Sequence, residues 1–390
     1  MRDDKRPADC VRCAPAVNRR CFLAAVSLAA ASGACRWRRG NEVTLGALVP
    51  RTGDRAAWGE DLLRGYELAV EQQNLRGGLN GRRLRLVALD DESREEHATT
   101  LTTRLIEREG APVVFGELSS VTNERGAAAA QRRGAVFVAT ASTARDVSRA
   151  GDFVFRTVLT DAEQAQAMAR YARQSMQRRK GAIVYRRSSL LHVGMADAFA
   201  SGFRGNGGEM VLRESYQDDA DLVRLVARVR SSGADIVYAP AAAEDAGRVA
   251  VAFRQGRVGA QIMGADGWAS PEARQFARDA MVGVLFPDLF SAVSPRPEVE
   301  AFIAAFEARH RAHPGAFAAV GYDAVRWILA TALRLPQLDA RSLRDALLGS
   351  RLDDAVAGPF SVDARRSLTR AICVQRYEAQ GVALAAMMTP

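Results

Sequence analysis

The sequence predicts an α/β protein of two doubly wound, Rossmann-like lobes joined by a multi-strand hinge. Three observations carry that prediction. The stretch from Leu45 to Ser93 reads as a complete β-α-β unit. Strand and helix signals then alternate through two successive halves, the pattern of parallel sheets covered by helices. At 390 residues the chain can hold two lobes of ordinary size.

The elements follow in order. Val43 to Val49 is a largely apolar run closed by Pro50, long enough for a buried strand, and a polar loop spans Arg51 to Ala57. Leu62, Tyr66, Ala69 and Val70 recur at i, i+4, i+7 and i+8, which puts one apolar stripe on a helix. Asn74 and Gly77-Gly78 end that helix, and Asn80-Gly81 supplies a tight turn. Leu84, Leu86 and Ala88 alternate up to the acidic turn Asp90-Asp91-Glu92. Two strands joined by a helix should be parallel, with a right-handed crossover. A helix carrying Leu101, Leu105 and Ile106 leads to a strand at Ala111 to Phe115. A helix at Val121 to Arg133 leads to a strand at Ala135 to Val138. Phe153 to Thr157 reads as a crossing between lobes.

The pattern then restarts. Strands are expected at Gly181 to Tyr185, Glu209 to Tyr216, Ile236 to Ala239 and Gln261 to Met263. Helices at Met195 to Phe203, Leu222 to Val229 and Ala246 to Phe253 connect them. Val282 to Phe286 reads as a second crossing. Pro297 to Arg311 and Phe317 to Leu333 read as long helices, and Arg370 to Tyr377 as the last strand.

Hydrophobic residues make up 48% of the chain and charged residues 25%, as in a soluble globular protein. No apolar run reaches the roughly 18–20 residues of a spanning helix. The formal charge is +9, carried almost wholly by arginine, with lysine only at Lys5 and Lys180. The arginines are scattered and often stand beside acids, as Arg94 does between Glu92 and Glu95. No basic patch is interleaved with aromatics, so a nucleic-acid partner is not expected.

The first 35 residues read as an export signal. Arg19-Arg20-Cys21-Phe22-Leu23 leads into an apolar run from Phe22 to Ala31, then Ser32-Gly33-Ala34 and Cys35. The Arg-Arg-x-Phe-Leu order resembles a twin-arginine signal. Small residues before a Cys resemble a lipoprotein cleavage site, which would lipidate Cys35, although Ser32 stands where that pattern prefers Leu. Attachment would then come from acyl chains, with the body in water. If Cys10, Cys13 and Cys21 leave with the signal, Cys373 remains without a partner and reads as a small buried hydrophobe. Cys10-x-x-Cys13 has no second pair to complete a zinc site.

The candidate chemistry lies in loops at the ends of strands, where doubly wound sheets bind their ligands. Between two such lobes the natural site is the cleft. Ser119 and Ser120 stand between a strand end and a helix start, where hydroxyls and free N–H groups suit a carboxylate. Either serine could equally be a plain helix cap. Ser142 and Thr143 occupy an equivalent loop and present the same choice. Asp266, between Gly264 and Gly267 in the opposite half, could take an ammonium group or serve only as a turn former. Anion donors on one lobe and an acid on the other would match a zwitterion spanning the cleft.

The first β-α-β unit also carries a resemblance. Pro50-x-Thr52-Gly53, Trp58-Gly59-Glu60, Gly65 with Glu67-Leu68-Ala69-Val70, Gly77-Gly78-x-Asn80-Gly81 and Asp90-Asp91 come in an order that resembles one family. It is the extracytoplasmic solute-binding proteins of the branched-chain amino acid (Leu/Ile/Val) type, which serve ABC importers and have a type I periplasmic-binding-protein fold. The resemblance spans roughly residues 42–380. After the signal over 1–35, it implies an N-terminal lobe of 42–160 plus 288–367, and a C-terminal lobe of 161–287 plus 368–390. It further implies an inner-membrane permease as partner, a periplasmic location, a monomer, no cofactor and no catalysis. In that family Ser120 would hold a ligand carboxylate. Ala141 would take the ammonium through its carbonyl, and Thr143 the carboxylate through its hydroxyl. Asp266 would be the acidic partner of the ammonium, and Trp58 an aromatic flanking the ligand. Leu191 stands where the family often has Tyr, and only small residues come after Pro240 where it often has Gly-Gly-Tyr. The ligand could therefore be a bulkier amino acid, an amide or an aromatic acid. A disulfide of some relatives is represented here by Ser93 and Ser119, so it is not expected.

Other classes find less support. No nucleophile elbow, P-loop or clean dinucleotide fingerprint stands after a strand. His310 and His313 could pair as metal ligands, but at an arginine-rich helix end they favour the dipole. A DNA-binding regulator of the same fold would need a helix-turn-helix where the export signal stands. The alternative carried forward is a lipoprotein sensor or scaffold that engages a protein partner.

Overall fold

A computed structural model of the chain describes residues 42–388. The export segment and Cys35 lie outside the described residues. Five parallel strands build the first sheet: β1 (Glu42–Val49), β2 (Arg83–Asp90), β3 (Val113–Phe115), β4 (Val136–Ala139) and β5 (Val154–Arg156), in the order β2-β1-β3-β4-β5. β3 and β4 are buried at every position, as continuous apolar strands covered on both faces must be. The second sheet repeats the order. β6 (Lys180–Arg186), β7 (Glu209–Tyr216), β8 (Ile236–Ala239), β9 (Gln261–Gly264) and β10 (Leu285–Asp288) run parallel as β7-β6-β8-β9-β10. β11 (Arg351–Leu352), β12 (Phe360–Val362) and β13 (Leu368–Arg370) form a small antiparallel sheet. β14 (Ile372–Tyr377) and β15 (Val382–Met388) then return to the second sheet, antiparallel beside β10.

Helix starts are written in capping chemistry. Ser119, Asp218, Ser270 and Asp339 each accept a backbone N–H of the first turn. Thr160 and Glu163 form a reciprocal capping box at the helix Asp161–Arg170. Asn80 and Gly81 both have positive φ and close a two-residue turn between Leu79 and Arg82, as that dipeptide predicts.

Three expectations are corrected. Phe153 to Thr157 is not a crossing: Val154–Arg156 is the fifth strand of the first sheet, and the chain leaves that sheet only after it. Val282 to Phe286 is not one either, because Leu285–Asp288 lies inside the second sheet between β9 and β14. The run Arg370 to Tyr377 is split by Ala371 between two sheets, and β15 comes after it. Crossings hide from sequence because an apolar extended run suits a buried strand and a sheet-to-sheet link alike.

The helices Ala56–Leu75 and Ala316–Ala332 pack against each other and share one core with β1 to β5. Their backbones nearly touch. A Cβ on Gly65 would stand 2.1 Å from the Ala318 carbonyl oxygen. Gly65→Ala should therefore force the helices apart and cost about 2–3 kcal/mol, which urea unfolding will read as a lower midpoint at unchanged slope.

Candidate functional site

Both sheets have the 2-1-3-4-5 strand order, so each reverses its winding once: between β1 and β3, and between β6 and β8. Ligands of doubly wound sheets settle off the strand ends at that switch point. The loops and first helical turns there carry Trp58, Ser119 and Ser120 in the first lobe, and Leu191 and Pro240–Ala242 in the second. Ala141 to Thr143 come after β4, and Asp266 after β9.

The Asp161 backbone N–H donates to the Thr143 carbonyl at 3.2 Å, and the Asp161 carboxyl lies close enough to Asp266 to be raised by it. Trp58 and Leu191 are 51% and 54% exposed, so apolar surface stands uncovered at both switch points.

In the first lobe the Ser119 hydroxyl caps the helix Ser120–Arg133, taking the Thr122 N–H at 3.4 Å. Ser142 Oγ donates to Ser120 Oγ at 2.9 Å, tying the two candidate loops together. Ala141 and Ser142 are buried, whereas Thr143 and Ser120 are half-buried. Beneath the loops, the Tyr66 hydroxyl lies 2.7 Å from both the Gly116 carbonyl and Thr140 Oγ1. Trp58 packs at 6.2 Å against Phe317.

In the second lobe the residues just after Asp266 hold it in place. Trp268 is fully buried, donates its indole N–H to the Ala239 carbonyl at 2.8 Å, and accepts the Tyr377 hydroxyl on its own carbonyl at 2.7 Å. A Cβ on Gly267 would meet the Ala241 carbonyl at 2.4 Å, so the loop lies tightly on the small residues after Pro240. The Asp266 carboxylate accepts the Gly267 N–H at 2.9 Å. Burial pushes its carboxyl above the ordinary carboxylate range. Away from the cleft, His313 Nδ1 lies 2.9 Å from Glu307 Oε1, and the His310 ring packs at a tilt against Phe306.

Four acidic groups escaped sequence reasoning. Glu117 is fully buried at the end of β3, accepts the Ser119 N–H at 2.8 Å, and lies 4.0 Å from Arg55 Nε. Asp91 is buried beside it, and burial and Glu117 push its carboxyl up to about 7. Burial and Asp266 push Asp161 up to about 7 as well, and burial does the same to Asp288 at the end of β10. Only the Thr160-x-x-Glu163 capping signature marks Asp161 as a helix start in sequence; nothing there marks Asp91, Glu117 or Asp288 as neighbours of a site.

These carboxyls set a pH dependence. Unfolded, they give up their protons near pH 4; folded, Asp91, Asp161 and Asp288 keep them to about 7. The folded state binds more protons between those values, so unliganded stability should fall as pH rises from about 4 through about 7. Thermal melts across that window check the sign, and Asp161→Asn should flatten the slope.

The chain matches the model of a family described as periplasmic binding protein over residues 42–381. It belongs to that family. The family is one of substrate-binding proteins of transport, not of enzymes, and its members are exported. A Leu/Ile/Val-binding protein homolog from Brucella melitensis is 27% identical over 291 residues, covering 74% of this chain and 76% of the relative. An ABC transporter substrate-binding protein from Desulfitobacterium hafniense, solved in complex with Leu, superposes with a TM-score of 0.75 at 24% identity, over 88% of this chain and 99% of that one. A solute-binding protein from R. palustris, solved with benzoate, gives a TM-score of 0.69 at 24% identity, over 90% and 97% of the two chains.

Proposed function

We propose that this periplasmic binding protein is the extracytoplasmic receptor of an ABC importer and binds an amino acid or a related small polar ligand between its lobes. The observation that carries the reading is that both sheets share one strand order, with hydroxyls and helix-start N–H groups at strand ends of the first and Asp266 at a strand end of the second. Ser120 and Thr143 would take the ligand carboxylate, the Ala141 carbonyl and Asp266 the ammonium, and Trp58 and Leu191 would flank the side chain. The Leu/Ile/Val-binding relative supports an amino acid; the benzoate-binding structure keeps an aromatic acid in view. A lobe of 42–160 plus 289–371 would close on a lobe of 161–288 plus 372–388 by hinge bending and present the closed form to an inner-membrane permease. The receptor would act as a monomer, held at the membrane by a lipid on Cys35.

A thermal-shift screen against amino acids, amides and aromatic acids tests this. A ligand at about 100 times its dissociation constant adds about 2.7 kcal/mol. The stabilisation should shrink in Ser120→Ala. A folded protein that answers to nothing in a broad panel would overturn the reading in favour of a protein partner.

A further inference from the structure

We propose that a second binding site lies at the amino edge of the second sheet, away from the cleft, and takes a phosphate group. The phosphate belongs to a small organic phosphate or to a lipid headgroup, whose chemistry at this site is the same.

A concavity of about 480 Å³ opens where β9 and β10 begin and the helix Ala243–Gln255 ends. β8, β9 and β10 run parallel, so this edge is the opposite one to that carrying Asp266. Arg178, Arg254 and Arg257 line it, and no acidic residue does. The volume falls in the range of small-molecule sites, roughly 300–1,000 Å³. Phe253, Val258 and Val284 supply an apolar wall for the body of a ligand beyond its phosphate.

Charge sets this concavity apart. Elsewhere in the second lobe arginines stand against acids, as Arg186 does with Asp245, Arg213 with Asp197, Arg228 with Glu214 and Arg376 with Glu378. Among the described residues, Arg178, Arg254 and Arg257 form no such pair. Arginine near a helix C-terminus complements the helix dipole, which accounts for Arg254 and Arg257. Arg178 comes from another element, the turn before β6, and the dipole of that helix does not account for it. Three like charges on one concavity repel unless an anion sits among them.

The hydrogen bonds on the wall leave donors over, not acceptors. Arg254 Nη2 donates to the Val282 carbonyl at 2.7 Å and to the Asp279 carbonyl at 3.4 Å. Gln261 Nε2 donates to the Ile262 carbonyl at 2.9 Å and to the Gly283 carbonyl at 2.7 Å. These lining carbonyls are therefore taken. The backbone of Arg178 is fixed, its N–H donating to the Ala172 carbonyl at 2.9 Å and its carbonyl accepting Arg173 Nη1. Its side-chain Nε is buried with no hydrogen-bond partner. A buried charged donor without an acceptor is costly, and a phosphate oxygen supplies the acceptor. The guanidinium fork also matches phosphate bidentately.

Calorimetry on the full chain at fixed ionic strength tests the site with glycerol phosphate, and with glycerol as the uncharged control. Glycerol phosphate should bind, and glycerol should not. Arg178→Gln and Arg257→Gly should each weaken that binding at least about tenfold. Arg257 has φ 52°, a conformation open to glycine, so Arg257→Gly should keep the melting temperature of the parent. Arg132→Gln, at an exposed arginine of the first lobe, should leave binding unchanged. Sedimentation with vesicles of phosphatidylcholine and phosphatidylglycerol, against phosphatidylcholine alone, separates the two sources. Vesicle binding that is lost in the same two variants assigns the phosphate to a lipid; binding of glycerol phosphate without vesicle binding assigns it to a free compound. No binding of either probe overturns the proposal. So does equal binding by the parent and both variants, or a loss in Arg132→Gln as large as in Arg178→Gln. None of these outcomes bears on the ligand of the cleft.

Discussion

Asp266→Ala is expected to weaken ligand binding by about 2–5 kcal/mol, roughly thirtyfold to several-thousandfold. The residue sits on a loop pinned by the buried Trp268, so its carboxylate is already positioned before a ligand arrives. It accepts the neighbouring Gly267 N–H at 2.9 Å, which fixes the rotamer without neutralising the charge. An incoming ammonium would thus gain a preorganised, poorly solvated counter-ion, and its loss would strand that ammonium in the closed cleft. Asp266→Asn keeps the shape and removes the charge, so it should lose nearly as much affinity. It should also raise the unliganded melting temperature at neutral pH, because Asp161 is freed from its like-charged neighbour. Titration calorimetry and melts together read both effects. Affinity within threefold of the parent in both variants would falsify the ammonium role.

Asp323→Ala should be the most damaging single change to stability, at about 3–5 kcal/mol. The carboxylate is fully buried on the helix Ala316–Ala332 and accepts the Val356 N–H at 2.8 Å and the Ala357 N–H at 2.9 Å. Its second oxygen also takes Arg370 Nη2 at 3.3 Å, and Arg370, 2% exposed, donates to the Thr157 carbonyl beside the first crossing. One carboxylate thus fastens a helix, a loop and the stretch from which the chain crosses between lobes. Removing it leaves a buried guanidinium and two N–H groups without an acceptor. Replacing Asp323 and Arg370 together by apolar residues should cost less than Asp323→Ala alone, since no unpaired charge remains. Urea unfolding of the two single variants and the double variant measures the coupling. An additive double variant would show that the pair does not act as a unit.

The sequence by itself determined the class of fold and the order of nearly every strand and helix. Apolar periodicity, the Asn80-Gly81 turn and the cap residues are local signals, and local interactions enforce them. It also marked Ser119, Ser120, Ser142, Thr143 and Asp266, because a polar residue directly after a strand is visible without knowing what faces it. Only the tertiary structure decided which extended runs are sheet strands and which lead between lobes. Val154–Arg156 and Leu285–Asp288 are fixed by their hydrogen-bonded neighbours, and those neighbours lie far along the chain. The same holds for charge. Asp161, Asp266 and Asp288 are each an ordinary acidic residue in sequence, more than 20 positions from the next. Their effect comes from a sheet register and a helix start that put Asp161 and Asp288 each close enough to Asp266 to be raised by it, in partly buried surroundings where low dielectric turns proximity into energy.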